Sequence, residues 1–112
     1  MTPTQAEAAA LALPGAALSI QWGDDRVYKV GGKMFAAMSG AKAPTLSFKC
    51  TDLAFEMLTE RAGVIPAPYL ARAKWVQLVK LAAMDGAEIK ERLAEAHRLV
   101  AAKLPKKIRD AL

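Results

Sequence analysis

Two adjacent glycines, Gly31-Gly32, constrain this chain more than any other feature. They separate Arg26–Val30 from Lys33–Met38, and a two-residue Gly-Gly link favours a tight hairpin because both central residues accept positive φ without a side-chain clash. The register then follows. Pairing Val30 with Lys33 sets Lys29 opposite Met34 and Tyr28 opposite Phe35, and strand alternation sends Tyr28, Val30 and Phe35 to an apolar face. Lys29, Val27, Met34 and Ala36 are expected on the other face. Ser47 and Lys49 join them from a further strand, Thr45–Cys50, whose Leu46, Phe48 and Cys50 look inward.

The remaining elements read from caps and periodicity. Thr2-Pro3-Thr4-Gln5 carries a cap, an N1 proline and the glutamine of a capping box, which predicts a helix over 3–12. Pro14-Gly15 stops it. Leu18, Ile20 and Trp22 then alternate with Ser19 and Gln21 as a half-buried strand does, and Gly23-Asp24-Asp25 turns the chain. Thr51-Asp52 caps a second helix with an acid in its first turn, and Gly63 ends it. Two prolines keep Val64–Tyr69 extended, as a connection or an edge strand. Lys74–Lys80 reads as another strand. Asp85-Gly86-Ala87-Glu88 opens a last helix over 85–104, with Ile89, Leu93, Ala96, Val100 and Leu104 at helical spacing, and Pro105 closes it.

That order implies an α+β two-layer sandwich, an antiparallel sheet of about five strands with three helices packed on one face. The links between the first strands are too short for crossover helices, which excludes a parallel doubly wound sheet. A length of 112 residues fits one domain. The apolar content of 54% includes 24 alanines, so the bulky core is modest. No run is long enough to span a membrane, and Ala8–Leu13 follows Glu7 with no basic residue before it, unlike a secretory leader. A cytoplasmic location and a monomer are the expectations.

No residue set suggests catalysis. His97 is the sole histidine and sits at the margin of the last helix's apolar stripe, where a boundary role outweighs that of a base or ligand. Asp24 and Asp25 occupy a turn, where aspartate serves backbone hydrogen bonds. Gly31-Gly32-Lys33 lacks the earlier glycine, the following Ser or Thr and the helix of a phosphate loop. Cys50 is the only cysteine, so no internal disulfide or thiolate cluster forms, and it reads as a small core residue. Neither a cofactor nor a metal is expected.

Charge is more informative. The net charge of +5 favours acidic partners. Lys29, Lys33 and Lys49 fall on neighbouring strands, and Trp75, Ser47, Met34 and Gln77 are expected near them, which describes either a solvated sheet face or an aromatic, basic surface for an anion. Lys103, Lys106, Lys107 and Arg109 form a second basic group at the end of the last helix, where cations suit the dipole or meet phosphates.

These residues also carry a resemblance. Trp22-Gly23, the block Arg26–Ala36, Leu46-Ser47-Phe48-Lys49-Cys50, Pro66-Ala67-Pro68-Tyr69, Lys74-Trp75-Val76 and Leu99-Val100 before Lys103-Leu104-Pro105-Lys106-Lys107 together resemble the MmcQ/YjbR family over nearly the whole chain. Ala96-His97-Arg98 departs from it where a Ser-Tyr pair is common. The resemblance implies a compact α/β sandwich like that of secretion chaperones and a DNA-binding, double-wing role without enzymatic activity. It assigns an anion-facing surface to Lys29, Lys33, Lys49 and Trp75. The expected partner is DNA, or alternatively a protein or peptide on the open sheet face or near Pro66–Leu70.

Overall fold

The hairpin forms with one irregularity that rearranges its faces. In the computed structural model, which describes residues 1–40 and 42–112, strand β2 (Asp25–Val30) pairs antiparallel with β3 (Lys33–Ser39), Val30 opposite Lys33 and Lys29 opposite Met34. The register then shifts, and Tyr28 meets Ala36 rather than the expected Phe35. One extra residue on β3 makes this a β-bulge, so Phe35 and Ala36 are both fully buried in the main core. Ala36 therefore faces inward, contrary to strict alternation. Beyond the bulge Val27 pairs with Ala37 and Arg26 with Met38, and Met38 also joins the core.

Among the described residues six strands make one sheet in the order β1-β2-β3-β4-β6-β5, with β1 at Ala16–Gln21, β4 at Thr45–Lys49, β5 at Val64–Pro66 and β6 at Trp75–Leu78. Every pairing is antiparallel. Four α-helices are present among the described residues: α1 (Pro3–Leu11), α2 (Asp52–Leu58), α3 (Gly86–Ala101) and the single turn α4 (Lys106–Arg109). The α+β two-layer arrangement is as expected, with one strand and one short helix more than the sequence suggests. The basic tail supplies that helix.

Local chemistry explains the boundaries. Thr2 and Gln5 form the reciprocal capping box of α1, Thr51 caps α2 through the Ala54 amide, and Asp85 caps α3 through the Glu88 amide at 2.8 Å. Helix α2 ends earlier than Gly63, at Leu58, with Thr59 as its C-cap. Proline leaves β5 as a three-residue edge.

Helix α3 lies across β2, β3 and β4, α1 packs on α3 and β1, and α2 on β5 and β6. Their apolar faces meet Tyr28, Phe35, Leu46, Phe48, Val76 and Leu78 of the sheet, and Ile89 and Leu93 of α3 complete the core. His97 is buried within this layer. Its Nε2 lies 2.6 Å from the Pro14 carbonyl, and its ring meets Phe35 edge-on at 5.4 Å, so it ties α3 to the link after α1. It is an interior structural residue rather than a boundary one.

The edge strand β1 departs from the half-buried expectation. Leu18 and Ile20 pair beside Tyr28 and Arg26 but are exposed, because the helical layer covers mainly the central strands. Trp22 lies past the strand at φ +48°, outside its alternation.

Candidate lysine site

Two hollows interrupt the surface near the hairpin. The first, of about 290 Å³, is lined by Lys33, Lys49 and Lys103 with Met34, Val100, Leu104 and Pro105. Three of the lysines selected from sequence thus share one hollow although they come from β3, β4 and the end of α3. The reason is packing at the hairpin tip. A Cβ on Gly31 would stand 2.6 Å from Leu104, so a glycine there lets the residues after α3 close onto the turn and bring Lys103 toward Lys33.

Pro105 lines this hollow and also caps α4, so Lys106 and Lys107 follow at once, both exposed. Arg109 is exposed and reaches back to the Ala102 carbonyl at 3.4 Å. Lys49 Nζ donates to the Ala73 carbonyl at 2.6 Å, which fixes its position while leaving further donors on the ammonium. Among the described residues, no carboxylate pairs with Lys33, Lys49, Lys103, Lys106 or Lys107. The cluster is thus a set of uncompensated point charges over an apolar floor.

Two selected residues fall outside it. Lys29 is half-buried on β2 opposite Met34 and lines no part of the hollow. Trp75 pairs with Lys49, yet it is only 3% exposed, so it offers no ring face for stacking with a base. Ser47 and Gln77 do lie side by side, Gln77 Nε2 donating to Ser47 Oγ at 3.3 Å.

The second hollow, of about 510 Å³, lies on the outer face of the sheet, bordered by Trp22, Asp25 and Tyr69 over Ser39, Ser47 and Gln77. Sequence reasoning assigned no site role to Trp22 or Tyr69. The available signal was an aromatic residue beside Gly23 and another beside Pro68, both in turns. Only folding brings these turns to one trough.

Cys50 is buried, donates to the Lys74 carbonyl at 3.3 Å, and burial pushes its thiol up to about 11. Among the described residues, no three His, Cys, Asp or Glu side chains group as metal ligands. No helix among them is long and apolar enough to cross a membrane.

Comparison with known proteins places this arrangement. The YjbR family model matches residues 11–99, which takes in the whole sheet and all of α2 and most of α3. The chain belongs to the YjbR family. The YjbR chain is also similar in fold to the Deinococcus radiodurans protein DR2400, described as a DUF419 domain, with a TM-score of 0.82 at 22% identity over 93% of this chain and 82% of that one. A Pseudomonas syringae protein of known crystal structure gives a TM-score of 0.74 at 17% identity, covering 88% of this chain and 98% of that one. Among curated proteins, none matches this sequence. At these identities the two structures speak for the fold of the YjbR chain alone.

Proposed function

We propose that this YjbR domain is a non-enzymatic binding module whose lysine hollow and α4 cations meet the phosphate backbone of duplex DNA. The convergence of Lys33, Lys49 and Lys103 on one hollow, continued by Lys106 and Lys107, supports this reading. Lysine ammoniums are point charges on flexible stems, suited to phosphates in many geometries and poorly suited to bidentate reading of a base. Affinity without strong sequence preference follows.

Fluorescence anisotropy of a labelled duplex across a salt series tests it. Four or five phosphate contacts give a log-log slope of about −4, and the double variant Lys33→Ala/Lys103→Ala lowers that slope by about 2. Salt-insensitive binding, or a variant that binds like wild type, would overturn the reading.

A second reading, binding of a protein segment by strand addition, draws on the edge strand β1 rather than the Pro66–Leu70 region. Pro66 removes a donor from β5, whereas β1 runs six residues with no charge, and its Ile20 is 52% exposed. Pull-down from a native lysate with wild type and Ile20→Lys separates the readings. A protein retained by wild type and lost with the variant supports it, and identical profiles count against it.

A further inference from the structure

The outer-face trough has a chemistry opposite to that of the lysine hollow. Its floor is low because Ala37, Ser39 and Ser47 on β3 and β4 are small, and its borders rise where Trp22 and Tyr69 stand in turns at either side. Both aromatic residues have left-handed backbones, φ +48° at Trp22 and +66° at Tyr69. That conformation costs a residue with a side chain about 1–2 kcal/mol, and it persists where something else depends on it. Burial is no such compensation here, since Trp22 is 68% exposed and Tyr69 104%. Two solvated aromatic residues with left-handed backbones therefore border one cavity.

The charge lining that cavity is a single carboxylate. In a chain of net charge +5, no lysine or arginine lines the trough, and Asp25 has no ion-pair partner among the described residues. The Gln77 amide already donates to Ser47, so the Gln77 carbonyl oxygen remains as an acceptor. Aromatic faces, a carboxylate and a free acceptor all favour positive charge and repel an anion. The volume suits one small molecule.

We propose that this trough binds a small organic cation, an alkylammonium compound whose positive group meets the aromatic faces and Asp25. This site is separate from the proposed DNA contact, sharing only Met34 with it. An anion surface and a cation pocket would then be neighbours, with Met34 between them.

Choline is the probe, and its uncharged carbon isostere dimethylbutanol is the control. Heteronuclear NMR follows the two indole signals, that of buried Trp75 serving as an internal reference. Choline shifts the Trp22 signal saturably in the millimolar range, dimethylbutanol does not, and Asp25→Asn weakens binding about tenfold. Tyr69→Gly relieves the left-handed strain, so it raises the unfolding temperature while also weakening choline about tenfold. Lys33→Ala/Lys103→Ala leaves choline binding unchanged, which separates this proposal from the DNA reading. No saturable shift up to about 50 mM choline, or equal shifts with the isostere, would overturn it.

Discussion

The two faces of this sheet use the same strands for different purposes. Toward the helices, Tyr28, Phe35, Leu46 and Phe48 interdigitate with Ile89 and Leu93 in one continuous core. On the outer face Val27, Ala67 and Trp75 are also buried, but they stand apart from that core, and between them lie Ala37, Ser47 and Gln77. Large apolar residues fill space and leave no hollow, whereas small and polar ones leave room for a ligand. Burial alone therefore does not mark the structural face. What separates the faces is whether buried side chains meet a second layer.

Met34 and Phe35 test that distinction most strongly, because they are consecutive residues, Met34 the last pair before the bulge and Phe35 the extra residue within it. Phe35 is fully buried against His97, and Phe35→Ala should cost about 3–5 kcal/mol in urea unfolding. Met34 is half-buried and borders both hollows, so Met34→Ala should cost less than about 1 kcal/mol. Similar losses for the two would mean that the outer face is as structural as the core.

Much of this contrast is legible in the sequence, and its gaps have physical causes. Gly31-Gly32 sets the turn and the first two pairs, and alternation correctly sends Leu46, Phe48 and Cys50 inward and Lys49 outward. The bulge escapes that logic because it depends on how Phe35 and Ala36 both fit beneath α3. Alternation overstates the burial of β1 for a similar reason: it tells which side chains share a face, not whether a helix covers them. Lys33, Lys49 and Lys103 are each visible in the sequence, but their meeting depends on Leu104 closing over Gly31. Trp75 falls beside Lys49 as its strand predicts, yet its burial is tertiary and leaves no periodic trace. Trp22 and Tyr69 come together only through strand order, which no local pattern encodes.

The turn gives a test of intermediate size. Gly31 and Gly32 both have positive φ, at +56° and +79°, but a Cβ on Gly32 meets nothing within 4 Å while one on Gly31 meets Leu104. Gly32→Ala should therefore cost about 1 kcal/mol from backbone strain alone. Gly31→Ala adds displacement of the buried Leu104 and should cost about 2–3 kcal/mol. Since Leu104 also lines the lysine hollow, Gly31→Ala should weaken the proposed duplex binding where Gly32→Ala does not. Equal behaviour of the two variants in unfolding and in anisotropy would show that closure of the chain onto the turn matters little.

The smallest effect concerns the polar rim of the helical face. Arg26 Nε donates to the Glu7 carboxylate at 2.5 Å, and the Tyr28 hydroxyl donates to the same Glu7 oxygen at 3.0 Å, joining α1 to β2. The Arg26 hydrogen bond holds the Glu7 carboxyl below its ordinary 4.5, against the opposing effect of burial and with help from Tyr28. A carboxyl depressed in the folded state contributes stability that is present above its unfolded value and is lost as pH falls through the folded one. Glu7→Gln keeps an acceptor for Tyr28 but removes the titration. The gap in unfolding temperature between wild type and Glu7→Gln should thus be greatest near neutral pH and close progressively below pH 4.5. The substitution changes this one carboxyl, so the difference between the two proteins reports on Glu7. A gap that stays constant from about pH 6 to about pH 3 would show that this rim contributes through shape rather than charge.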